Sequence, residues 1–202
     1  MPERLSPRAF QESSRECGLV VDLRPLVAFA RAHVPGAISV PFAGDAFLPS
    51  IADVTPPTTV GLIDDVPLLT ESARTLLEAN GYRVAAILEG GTRAWADAGL
   101  PLEMLPEVSP AEAAPRLGEF TVLDVREPWE TASGAIPGSR PLPLSQLAAE
   151  VRSLDPGVTY LMACRSGARS LHAQAYVARH GLQAVNLKGG VTLWELSGLP
   201  LE

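Results

Sequence analysis

The chain has 202 residues, 47% of them hydrophobic and 19% charged, which is enough for one domain or two small ones at about 100–200 residues each and too apolar for a disordered chain. Its formal charge of −7, from 23 acids against 16 bases of which Lys188 is the one lysine, comes with no basic run and argues against a partner that is nucleic acid or an anionic membrane. No apolar stretch approaches the roughly 18 residues that suggest a membrane span, no leader with an apolar core is read at the N-terminus, and two cysteines, Cys17 and Cys164, are too few for a disulfide framework and fit a reduced, cytoplasmic protein.

In chain order, a short apolar run at Val20-Val21 closes on Asp22-Leu23-Arg24, and His33-Val34-Pro35-Gly36-Ala37 follows. Val60 to Ile63 is a second apolar, β-prone run. After it Ala73, Leu76 and Leu77 share a helical face that stops at Asn80-Gly81, a C-cap pattern. Val84 to Leu88 reads as another strand, followed by Gly90-Gly91, Trp95 and Gly99-Leu100-Pro101-Leu102-Glu103. Pro101 to Pro110 carries three prolines and no periodic pattern, and reads as a join.

Beyond the join the same order returns. Leu123-Asp124-Val125-Arg126 repeats Val21 to Arg24, and Ala135-Ile136-Pro137-Gly138-Ser139 repeats His33 to Ala37, each 102 residues on. Thr159 to Ala163 is the matching strand, Ser170 is expected to cap a helix running to His180, and Gly181 stops it. Ala184 to Leu187, Gly189-Gly190, Trp194 and residues 198–202 complete the copy, now 99 residues on. This is a duplicated unit of strand–helix alternation, which favours an α/β fold with a mostly parallel sheet in each of two domains, residues 1–105 and 106–202. Ligands of such sheets sit at the carboxyl ends of the strands.

The chemistry concentrates in Cys164-Arg165-Ser166-Gly167-Ala168-Arg169-Ser170, where a strand enters a tight loop and then a helix. A loop turning on Gly167 can aim successive backbone N–H groups inward as an anion nest. The helix adds its free N–H groups and the positive end of its dipole, and Arg165 and Arg169 add two charges. A thiol in such a field ionises readily and becomes a nucleophile. The same cradle, residues 165–170, would hold an anionic substrate. With three histidines and two cysteines, no spacing suggests a metal site, and the chemistry calls for no cofactor.

These motifs resemble the rhodanese sulfurtransferase family over nearly the whole chain. The resemblance rests on Asp124-Val125-Arg126-Glu127-Pro128-Trp129-Glu130, on Ile136-Pro137-Gly138, on the loop from Cys164 to Ser170, and on Lys188-Gly189-Gly190 with Trp194. It implies two tandem rhodanese-like α/β domains, each a five-stranded parallel sheet flanked by helices. It implies that Cys164 takes sulfane sulfur from a small anionic donor such as thiosulfate, forms a persulfide, and passes the sulfur to a thiol or to cyanide. A cysteine desulfurase or a thioredoxin-like protein would suit as partner. The family's histidine before Ile-Pro-Gly is Ala135 here, and the loop matches neither CRKGVT nor CGSGVT.

In the first copy, counting back from the matching glycines sets Asp64 against Cys164, Asp65 against Arg165, Pro67 against Gly167 and Leu69 against Arg169. The nucleophile is gone, Pro67 removes an N–H, and two Asp replace Cys and Arg, so the first domain reads as catalytically silent. Two other readings of the second loop are weighed. One is a relay or partner-binding module without turnover. The other is phosphatase or arsenate chemistry, which uses C-x5-R, whereas Arg169 sits at C-x4-R. His172 reads as a surface helix residue, Cys17 as an incidental thiol, and Trp129 as a candidate for a substrate or domain interface. Asp22, Arg24, Asp124, Arg126, Trp95 and Trp194 occur in both copies and read as structural. Glu119, Glu127 and Glu130 show no pairing pattern for acid–base work.

Overall fold

The computed structural model describes residues 3–202. The chain divides into two compact units, Met1–Met104 and Leu105–Glu202. The first runs β1 (Glu3–Leu5), α1 (Pro7–Ser13), β2 (Leu19–Asp22), α2 (Leu26–Arg31), β3 (Ile38–Ser39), α3 (Phe47–Val54), β4 (Thr59–Ile63), α4 (Pro67–Ala79), β5 (Arg83–Leu88) and α5 (Gly91–Asp97). The second runs β6 (Glu107–Val108), α6 (Pro110–Ala113), β7 (Thr121–Asp124), α7 (Pro128–Thr131), β8 (Arg140–Pro141), α8 (Leu147–Glu150), β9 (Thr159–Ala163), α9 (Ala168–Ala178), β10 (Gln183–Leu187) and α10 (Gly190–Leu196).

Each unit holds one five-stranded sheet, in the orders β1-β5-β4-β2-β3 and β6-β10-β9-β7-β8. Every pairing in both is parallel. The two units are thus the paired α/β domains that the repeat implies. Parallel strands are covered on both faces and so carry apolar runs. In β9, Tyr160 and Met162 pack with Leu123, Val177 and Leu182 on one face. Leu161 and Ala163 pack with Leu187, Val191 and Trp194 on the other. In the first unit Val60 and Leu62 of β4 pack with Val21, Leu77 and Ile87.

Both copies fasten their ends alike. Asp22 and Asp124 close β2 and β7 with two-pronged ion pairs to Arg24 and Arg126, at 2.7 and 2.6 Å. The indole N–H of Trp95 donates to the Pro101 carbonyl at 2.8 Å, and that of Trp194 to Pro200 at 2.9 Å. Both tryptophans are buried. The repeat offset of 100 at β4 and β9 becomes 99 at the glycine pairs for a local reason. β9 and β10 pair in step from Thr159 with Gln183 to Met162 with Asn186. In the first sheet Val60 pairs with Val84 but Gly61 with Ala86, so Ala85 is an extra, bulged residue.

Two expectations need correction. Residues 107–108 belong to no linker: Glu107–Val108 is an edge strand on β10, too short to show periodicity. Ser109 then caps α6 in a reciprocal box with Glu112. Nor does Ser170 cap the helix after β9. Gly167, with φ 88°, stands at the N-cap, and α9 runs from Ala168 to Ala178, short of His180. Among the described residues no helix is long and apolar enough to cross a membrane.

Candidate active site

Cys164 follows β9, the central strand of the second sheet, at its carboxyl end, and is 1% exposed. Two neighbours shape the loop after it. The N-terminus of α10 binds the loop's carbonyls: Val191 N–H donates to Cys164 O at 2.8 Å and Thr192 N–H to Arg165 O at 3.0 Å. A peptide's N–H and C=O point oppositely in one plane, so tying those carbonyls to α10 turns the next N–H groups away from it. Gly190 makes the approach feasible, since a Cβ there would lie 2.2 Å from Cys164 O. Gly167 then turns the chain into α9 with a left-handed φ of 88°, where a Cβ would meet Gly189 N at 3.1 Å and Leu187 O at 3.3 Å.

Among the described residues the sulfur receives two donors. Gly167 N–H donates to Sγ at 3.2 Å, and the Ser170 hydroxyl at 3.3 Å. Ser170 is fully buried on the first turn of α9. This turn also presents helix N–H groups toward the loop, as an anion site requires. Arg165, Ser166 and Ala168 are exposed.

Arg169 does not stand free. Its guanidinium makes a two-pronged bond to Glu130, 2.6 Å to each oxygen. The Glu130 side chain is 8% exposed and that of Arg169 37%. Glu130 Oε2 also accepts from Glu127 N–H at 3.0 Å, completing a capping box on α7. The Arg169 guanidinium pulls the Glu130 carboxyl down to about 2, and the same contact raises Arg169. This is an ion pair, not an acid–base pair of carboxylates, and the sequence reading did not include it. The repeat holds the missed signal: Glu130 falls on Ala28 and Arg169 on Leu69, so both charges are absent together from the first copy.

His172 is exposed on α9. Trp129 is 76% exposed on α7, beside Glu130 in the chain. Cys17 is a half-buried free thiol, and burial pushes it up.

The first unit places Asp64 after β4, where Cys164 follows β9, with Asp64 7% exposed. Asp65 N–H donates to its Oδ1 at 2.8 Å, and its Oδ2 has no partner among the described residues. Burial raises this carboxyl. Asp65 turns back to accept from the backbone and hydroxyl of Thr92, both at 3.1 Å, and lies 3.8 Å from Arg24. Helix α4 opens on Pro67 itself, so this loop has neither the left-handed glycine nor an N–H at that position.

A family profile described as Rhodanese-like domain matches residues 6–98 and 109–197. A sulfurtransferase of Allochromatium vinosum is 32% identical over 102 residues, covering 48% of this chain and 95% of that protein. The thiosulfate sulfurtransferase GlpE of Ectopseudomonas mendocina is 35% identical over 89 residues, covering 43% of this chain and 82% of that protein. Among solved structures, a rhodanese-related protein from Thermoplasma volcanium is 32% identical, with a TM-score of 0.47, over 48% of this chain and 97% of that one.

Proposed function

The chain belongs to the rhodanese-like domain family as two tandem copies, and from that premise we propose that its second domain is a sulfurtransferase moving sulfane sulfur from a donor such as thiosulfate to a thiol or cyanide through a persulfide on Cys164. Relatives named sulfurtransferase and thiosulfate sulfurtransferase support the class. The observation that carries the mechanism is the pair of donors on Sγ, Gly167 N–H at 3.2 Å and Ser170 O–H at 3.3 Å.

The reaction has two displacements. The Cys164 thiolate attacks the outer sulfur of thiosulfate. The new Cys164 S–S bond forms as the old S–S bond breaks, and its electron pair leaves with sulfite. The terminal persulfide sulfur carries the negative charge. The loop N–H groups, the Ser170 hydroxyl and the start of α9 face that charge and stabilise it as it moves outward. An acceptor thiolate or cyanide then attacks the terminal sulfur, and the pair in the S–S bond returns to Cys164 as thiolate. The two steps balance without a further reactant. A donor or acceptor thiol carried by a protein, such as a cysteine desulfurase or a thioredoxin-like partner, follows the same arithmetic. The first domain is silent in this reading, because Asp64 offers no sulfur and Pro67 no donor at the equivalent place.

Intact mass after incubation with thiosulfate tests it, beside Cys164→Ser. The expected result is one added sulfur in the wild type alone, removed by cyanide as thiocyanate. Absence of that gain in the pre-reduced protein overturns small-molecule sulfur transfer. The relay module, or arsenate and phosphate-ester chemistry, is then left to assay.

A further inference from the structure

We propose that Glu130 sets the charge class of the sulfur donor, making the second-domain loop favour donors with one negative charge over dianions such as thiosulfate. The inference rests on the reading of Cys164 as the sulfur-accepting nucleophile.

The loop holds two arginines, but their charges are not equal to an incoming anion. Arg169 is bound at both prongs by Glu130, at 2.6 Å each, and the carboxylate is enclosed at 8% exposure. Asp124 cancels Arg126 in the same manner at 2.6 Å. Among the described residues Arg165 is therefore the one loop cation without an acidic partner, and it is exposed to solvent. The loop is left with a single full charge without an acidic partner and a helix terminus worth about half a charge. Once Cys164 is a thiolate, a dianion leaves the site about one and a half charges negative, whereas a monoanion leaves it only about half a charge negative.

Glu130 also completes the capping box on α7, but the frame forms without such a residue. The first domain builds the same strand and helix frame with Ala28 and Leu69 at the two positions. The Glu130–Arg169 pair accompanies the cysteine loop alone. Glu130 acts through Arg169 and touches no reacting atom, so it is a positioning and specificity residue.

The test compares thiosulfate with methanethiosulfonate, in which a methyl group replaces one charged oxygen. Both deliver the same outer sulfur, and the leaving group is sulfite or methanesulfinate. kcat/KM for thiocyanate formation is measured for each donor at low and high salt. The wild type is expected to prefer the monoanion. Glu130→Gln releases the Arg169 charge and should shift the ratio of the two kcat/KM values about tenfold toward thiosulfate. That shift should shrink at high ionic strength. The double variant Glu130→Gln with Arg169→Gln restores the wild-type charge and should return the ratio toward wild type, although a structural defect would only deepen. If Glu130→Gln is poorly folded, the wild-type donor ratio and the double variant still decide. A wild type that prefers thiosulfate overturns the proposal, as does a ratio that no variant moves while persulfide still forms on Cys164. If neither donor loads the wild-type cysteine, the sulfur-transfer reading itself falls and this inference with it.

Discussion

The Ser170 hydroxyl lies 3.3 Å from Cys164 Sγ and is fully buried, six residues along the chain from the sulfur it serves. That position comes from the helix start. With Gly167 at the N-cap, Ser170 is the third residue of α9, and its side chain points back over the loop. Its hydroxyl is one of two donors to the sulfur among the described residues, and hydrogen bonds to charged groups contribute about 1.5–3 kcal/mol. Ser170→Ala should therefore slow persulfide formation by roughly tenfold to a hundredfold while the domain stays folded. Stopped reactions read by intact mass check this. An unchanged loading rate would remove Ser170 from the mechanism.

Gly167 fills two needs at once, the left-handed φ of 88° and the narrow gap to Gly189 and Leu187. Gly167→Ala should cost about 1–3 kcal/mol of second-domain stability from the backbone alone. It should also pull the Gly167 N–H off the sulfur, so activity falls further than stability. Denaturant midpoints and loading rates, taken on the same preparation, separate the two effects. Wild-type values in both would contradict the geometry.

The first domain supplies the converse experiment. Asp64→Cys, made in a Cys164→Ser background, puts a thiol at the end of the matching strand. Neither donor awaits it. Pro67 has no N–H, and the Thr70 hydroxyl donates to the Val66 carbonyl at 3.3 Å. Asp65 stands nearby as a negative charge. The expected outcome is no sulfur gain with thiosulfate. Loading at position 64 would show that a cysteine after this strand suffices and that the loop donors are dispensable.

Much of this was readable in the amino-acid order because the duplication prints each element twice. The strand ends at Asp22 and Asp124, the paired tryptophans and the strands beside them are short-range patterns that recur. What escaped depended on partners far along the chain. Glu130 and Arg169 are 39 residues apart and meet only because α7 and the loop both sit at the carboxyl ends of adjacent strands, β7 and β9. The start of α9 was misplaced because Ser170 is a good capping residue by type, whereas the packing of Gly167 against the Gly189-Gly190 turn decides where the helix begins. Edge strands of two or three residues carry no period at all.

The Asp64 carboxyl gives a pH signature that belongs to the first domain. It is buried, its Oδ2 lacks a partner, and Asp65 and Asp22 add repulsion while Arg24 is committed to Asp22 and Thr92. Burial is the largest cause, and it lifts the carboxyl above its ordinary value of 3.8. A carboxylate raised in the folded state binds its proton more tightly there than in the unfolded chain. Between 3.8 and the higher native value the folded protein therefore holds the extra proton, and stability falls as pH rises across that window. Above it the full penalty of a buried, half-satisfied charge persists. Asp64→Asn keeps the acceptor for the Asp65 N–H and removes the charge. The variant should lose this segment of the pH–stability curve and stand above the wild type at neutral pH, with the two curves converging in acid. Denaturant melts across pH 3 to 8 would record it, with roughly 1 kcal/mol of separation for each unit by which the native value is raised. Parallel curves over that range would mean that Asp64 is solvated in solution and that its side chain does not sit enclosed at the end of β4.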